Sequence, residues 1–142
     1  MLRIGKLTDY AMLILTHMAR TPESIMSATF LAEALHLSAP TMSKILKILS
    51  DAGLVSSLRG SEGGYRLQKP AGEISVADVI AAMEGEIAMT ECCERINHCA
   101  INSSCVMKEN WIKINMIVNS LLSRLSILDM LEPISIKSKM YG

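Results

Sequence analysis

A mainly α fold, a winged helix-turn-helix carrying a two-stranded β wing and a long C-terminal dimerisation helix, is the expectation for this 142-residue chain. Three patterns carry it. Apolar residues recur at helical spacing in successive segments, and two strand-like runs flank a glycine-rich turn after the third of them. A long apolar stretch then fills the region from Val106 to Leu125.

The first helix is expected over residues 7–20, where Leu7, Ala11, Ile14 and Met18 share a face and Thr8 is available as N-cap. A loop at Pro22–Ser24 precedes a short second helix from Ala28 to His36. Ser38 then caps a third helix, with Pro40 tolerated in its first turn because the missing N–H has no helical partner there. That helix runs to about Ala52 and stops at Gly53. Met42, Ile45, Leu46 and Leu49 form its inner stripe, while Thr41, Ser43, Lys44 and Lys47 lie on or beside the outer face. A short apolar helix, a brief turn and a helix with a small-polar and basic outer face make a helix-turn-helix pattern.

Leu54–Leu58 and Tyr65–Leu67 read as strands around Arg59–Gly64, a turn whose glycines permit positive φ. Arg59 and Arg66 flank the tip of this wing. Ser75, with Asp78 at the third helical position, opens a helix through Met83. From Gly85 to Ser104 the helical pattern lapses. The long helix beyond, about Val106–Leu125, has too many apolar positions for one face, so it is expected to pack on its own domain and on a partner at once. Trp111 is read as its anchor and Tyr65 as a packing residue. A turn near Ile127–Leu131 and a tail from Pro133 close the chain. The expected organisation is a DNA-binding unit over 1–84, a cysteine segment over 85–105, and a dimerisation helix with tail over 106–142.

No apolar run is long enough to span a bilayer, and the N-terminal residues lack a signal peptide's apolar stretch, so a cytoplasmic protein without membrane contact is expected. The net charge is zero, but its distribution is uneven. Residues 1–70 hold eight bases against five acids, and the remainder six against nine. A symmetric dimer would therefore present two basic N-terminal faces, a bias that suits phosphate although scattered solubilising charge fits the total equally. An enzyme is disfavoured: the three histidines stand apart, no nucleophile–base pair is evident, and no G-K-[ST] follows the wing glycines.

All four cysteines, Cys92, Cys93, Cys99 and Cys105, fall within fourteen positions, and Cys93-x5-Cys99-x5-Cys105 is evenly spaced. They sit in a polar segment beside Asn97, Asn102, Ser103 and Ser104 rather than scattered through a core. Disulfides are not expected in a reducing compartment. Paired C-x2–4-C zinc knuckles and a redox C-x-x-C are absent. An iron–sulfur cluster suits such spacing. Zinc or redox thiols, and inert cysteines, remain open alternatives on spacing alone.

The combination of LTDYA, the helix-turn-helix, AGLVSSLRGSEGGYRL, ISVADVI and C-x5-C-x5-C resembles the IscR/NsrR-type winged-helix regulators over about residues 1–131, and most of all the regulators of sulfur-mobilisation cluster-assembly operons. The resemblance implies a homodimer with crossing long helices, double-stranded promoter DNA read by the third helix and wing, and an iron–sulfur cluster that tunes affinity. A [2Fe–2S] form is expected in preference to [4Fe–4S], and repression in preference to activation. The family's three cysteine ligands fall on Cys93, Cys99 and Cys105, with Cys92 an extra thiol able to substitute for its neighbour. In the IscR branch a histidine three residues after the last cysteine completes the site; here Lys108 stands there. In the NsrR branch an aspartate of the first helix, reaching from the other subunit, does so, and it matches Asp9, whose plain alternative is an acid favouring the helix dipole. His98 is a backup. The DNA-facing residues carried over are Ser38, Thr41, Ser43, Lys44, Arg59 and Gly60, with Lys47 suited to a phosphate. The rival reading is a zinc-stabilised winged-helix module that binds proteins, or a redox-thiol regulator.

Overall fold

The computed structural model describes residues 2–135. Helix α1 spans Lys6–Ala19, with Ala11, Ile14, Leu15 and Met18 turned into the core. Thr8 is not its N-cap. Gly5 holds that position with no side-chain cap of its own, and Thr8 lies in the first turn, 1% exposed. The carboxylate of Glu84, from a distant helix, takes over the work: its Oε1 accepts from the Gly5 N–H at 2.7 Å and from the Thr8 hydroxyl. A charged acceptor at a helix N-terminus outcompetes a neutral local hydroxyl.

Helix α2 (Ala28–Leu35) starts at Ser27, whose Oγ accepts from the Phe30 N–H at 3.1 Å. It ends at Leu35, one residue sooner than the periodicity predicts, with His36 left-handed at φ 54° as its C-cap. The reversed backbone lets Leu37 N–H reach the Ala32 carbonyl at 2.9 Å and drops Leu37 onto the core. This Schellman-like stop sets the angle of the next helix. Helix α3 (Ala39–Asp51) is capped by Ser38 and carries Pro40 in its first turn, as expected. Met42, Ile45, Leu46 and Leu49 are completely buried.

Strands β1 (Val55–Leu58) and β2 (Gly64–Leu67) pair antiparallel, with Val55 opposite Leu67 and Leu58 opposite Gly64. Met26, in the loop before α2, exchanges both backbone hydrogen bonds with Tyr65, at 2.9 and 2.8 Å. The wing is thereby fastened to the helical body, and Tyr65 packs against the core. The contact needs glycine next door: a Cβ on Gly64 would stand 2.6 Å from the Met26 carbonyl oxygen.

Helix α4 (Val76–Glu84) opens with a complete capping box. Asp78 N–H donates to Ser75 Oγ at 3.0 Å, and Ser75 N–H donates to Asp78 Oδ2 at 2.9 Å. Ser75→Ala is expected to cost about 1 kcal/mol, read as a lower urea midpoint at constant slope. An unmoved midpoint would contradict the cap's role.

Helix α5 (Lys108–Arg124) starts two residues later than the apolar pattern predicts, and none of its residues is buried. Beyond it the chain returns to the body. Val76 N–H donates to the Leu125 carbonyl and Ile127 N–H to the Ile74 carbonyl, both at 2.8 Å. Ile127 enters the core at 0% exposure. A 3-10 turn over Asp129–Leu131 follows, where a turn is expected. The tail expected from Pro133 is described to Ser135, and its remainder lies outside the described residues.

Candidate DNA interface and cysteine segment

On α3 the expected contact residues share one exposed end. Ser38 Oγ accepts from Thr41 N–H at 3.3 Å and donates to Thr41 Oγ1 at 2.8 Å, so the two hydroxyl groups hold each other at the helix entrance. Ser43 and Lys44 are exposed one turn in. Lys47 forms an ion pair with Asp51 at 3.0 Å, with both side chains mostly in water. Such i,i+4 pairs contribute only about 0.3–0.5 kcal/mol, so a phosphate can compete for this ammonium. Arg59 opens the wing turn and Gly60 follows at φ +114°, both exposed. Arg66 does not flank the tip: it lies within β2 opposite Ser56.

The cysteine segment leaves α4 at Gly85, φ +92°. Its first limb is pinned by Asn115 of α5: Asn115 Nδ2 donates to the Ile87 carbonyl at 3.0 Å, and Met89 N–H donates to Asn115 Oδ1 at 3.0 Å. A 3-10 turn over Glu91–Cys93 follows. Thr90 Oγ1 lies 3.1 Å from Cys92 Sγ and 3.3 Å from Cys93 Sγ. Farther on, Asn97 orders the next bend, its Oδ1 accepting from Cys99 N–H at 2.9 Å and its Nδ2 donating to Asn102 Oδ1 at 2.7 Å. Lys108 N–H donates to the Cys105 carbonyl at the start of α5.

All four thiols are free and half-buried. Among the described residues no group of three or more His, Cys, Asp or Glu side chains is gathered for a metal, so Cys93, Cys99 and Cys105 do not stand as a preformed triad and Asp9 joins no such group. Asp9 and His98 are exposed, on α1 and on the segment respectively. The donor chemistry nevertheless fits an iron centre, because soft sulfur ligands sit on one non-α-helical segment, on a 3-10 turn and on irregular backbone. Sequence reasoning missed Glu84, Thr90 and Asn115. Only Asn115 carried a visible signal, as a polar residue amid Ile112, Ile114, Met116 and Ile117.

Among the described residues no helix is long and apolar enough to cross a membrane. A match to the Rrf2 family, described as iron-dependent transcriptional regulator, covers residues 4–133. The chain is 30% identical over 109 residues to the HTH-type transcriptional regulator NsrR of Oceanobacillus iheyensis, covering 75% of this chain and 74% of that one. It superposes on CymR, the global cysteine regulator of B. subtilis, with a TM-score of 0.72 at 28% identity, over 92% of this chain and 97% of that one. IscR of T. potens gives a TM-score of 0.69 at 27% identity, over 92% and 86% respectively. These relatives are regulators, a non-enzymatic class, in keeping with the sequence. A capped third helix, a glycine-tipped wing and this range of similarity lead to one assignment: the chain belongs to the Rrf2 family of winged-helix transcriptional regulators.

Proposed function

We propose that the protein binds promoter DNA as a homodimer, that an iron–sulfur cluster on Cys93, Cys99 and Cys105 modulates its grip, and that its targets include cluster-assembly genes. The observation that carries the reading is the coexistence of a complete winged helix-turn-helix with four free thiols on one irregular segment. The iron-dependent description of the family supports the cofactor.

The dimer reading rests on α5. Met116 and Ile117 are 64% and 60% exposed, while Val118 and Leu122 line a groove with Leu2, Ile4 and Ile80. Exposed apolar side chains such as Ile114, Met116 and Ile117 on one helix call for a covering surface, and a second copy supplies the matching one by symmetry. The Asn115 clamp joins α5 to the segment holding the thiols, giving ligation there a path to the relative placement of two α3 helices. Asp9 of one subunit serves as fourth ligand to the thiols of the other, with Cys92 able to replace Cys93. The cluster supplies redox and ligand-exchange sensitivity when bound; Cys93, Cys99 and Cys105 hold it. Half-sites spaced by whole helical turns follow from such a dimer.

The test is quantitative. Lys44→Ala and Arg59→Ala are each expected to weaken operator binding, and loss of a phosphate contact lowers the salt slope by about one. Gel retardation across a salt series reads both quantities. Unchanged affinity and slope in both variants would remove this surface from the interface.

A further inference from the structure

Cys92 is superfluous to a three-thiol ligand set, yet its sulfur is not idle. Cys92 and Cys93 are adjacent in sequence, and both sulfurs approach the single hydroxyl of Thr90, at 3.1 and 3.3 Å. The 3-10 turn over Glu91–Cys93, closed by Cys93 N–H donating to the Thr90 carbonyl at 2.9 Å, holds the two thiols on one side of the backbone. Cys93 also borders an open cleft with Glu86, Ala88, Glu94 and Arg95. The pair is therefore reachable from solvent.

A direct S–S bond suits this pair poorly. Neighbouring Cα atoms are about 3.8 Å apart across a trans peptide, short of the roughly 4.4–6.8 Å that disulfides prefer. An atom inserted between the sulfurs widens the ring and relieves that strain. The inserted atom must be soft, to suit thiolates, and must accept two sulfurs at about a right angle. Trivalent arsenic meets both demands.

We propose that Cys92 and Cys93 form a vicinal dithiol site for trivalent arsenic compounds, and that occupation of this site withdraws Cys93 from iron. With a monosubstituted arsenoxide, two As–S bonds form and the As=O bond breaks. The oxygen leaves as water with both thiol protons, and arsenic stays trivalent throughout. No oxidant or reductant is consumed. The withdrawal of Cys93 rests on the cluster reading above; the capture itself does not.

The experiment uses reduced, iron-free, full-length protein under anaerobic conditions with phenylarsine oxide as probe. Wild type is expected to take one phenylarsenic group by intact mass, with only two of its four thiols still titratable. Cys99→Ser and Cys105→Ser keep the adduct, whereas Cys92→Ser and Cys93→Ser weaken capture at least about 100-fold by removing the second attachment. Circular dichroism of each variant confirms the fold. Absence of an adduct on folded wild type overturns the site, as does its loss in Cys99→Ser or Cys105→Ser. Arsenical-treated protein is then expected to refuse iron, and normal iron uptake by the adduct overturns the withdrawal. Iron and sulfide analysis of untreated protein separates the two ideas: material that binds no iron but still captures arsenic sinks the cluster reading alone.

Discussion

Cys99→Ala is expected to abolish iron and acid-labile sulfide in anaerobically reconstituted protein and to erase its visible absorbance, while leaving the fold in place. Both halves of that outcome come from the position of the residue. Cys99 stands between the two other family-matched cysteines, on irregular backbone, with its N–H donating to Asn97 Oδ1 and its carbonyl accepting from the Asn102 N–H. Its side chain belongs to no part of the hydrophobic core. The stability change should therefore stay within about 0.5 kcal/mol, as for other replacements outside a core. Removing one of three thiolates, by contrast, leaves a cluster short of a sulfur ligand, and Lys108, three residues after Cys105, cannot stand in for it while protonated. Iron analysis, visible spectra and a thermal melt on the same sample read all three quantities. Full iron content in Cys99→Ala would defeat the ligand assignment; lost iron together with a collapsed melt would show that the residue was structural.

Ile127→Ala is expected to lower stability by about 2–5 kcal/mol, the range for emptying a fully buried branched site. Against a typical total of about 5–15 kcal/mol, that is a substantial fraction. Ile127 is 0% exposed among residues of the helical body, though it lies after α5 and far in sequence from what it touches. Its N–H is bonded to the Ile74 carbonyl, and the preceding Leu125 carbonyl accepts from Val76, so the side chain is delivered by a short backbone bridge. Emptying the site removes the plug that returns the end of α5 to the start of α4. Chemical denaturation measures the loss, and a change below about 1 kcal/mol would mean that the cavity refills at little cost.

The sequence disclosed local chemistry more readily than long-range chemistry. Ser38 before Pro40, and Ser75 three residues before Asp78, announced helix starts because capping is settled within one turn of chain. The stripe of α3 was equally legible, since burial there follows the helical period. Thr8 misled for the same local reason: its hydroxyl looks like a cap until Glu84 arrives from 76 residues away. The Met26–Tyr65 bridge and the Ile127 plug were invisible because neither has a periodic signature. At the candidate site, residue types were readable but convergence was not. The spacing of Cys93, Cys99 and Cys105 speaks of a shared ligand, whereas a single chain leaves them ungathered among the described residues. The dense apolar pattern of α5 likewise exceeded what one chain buries, which is why no residue of that helix is buried here.

The side-chain amide of Asn115 satisfies a carbonyl and an N–H two residues apart, at Ile87 and Met89, using both of its ends. That makes the attachment behave as a hinge pin with a fixed axis rather than as a sliding contact. Rotation of the long helix about its own axis must carry residues 87–89 along, and a tug on the neighbouring thiols must be returned as torque. Aspartate at that position, having no N–H to offer, would keep one side of the pin and let the other swing.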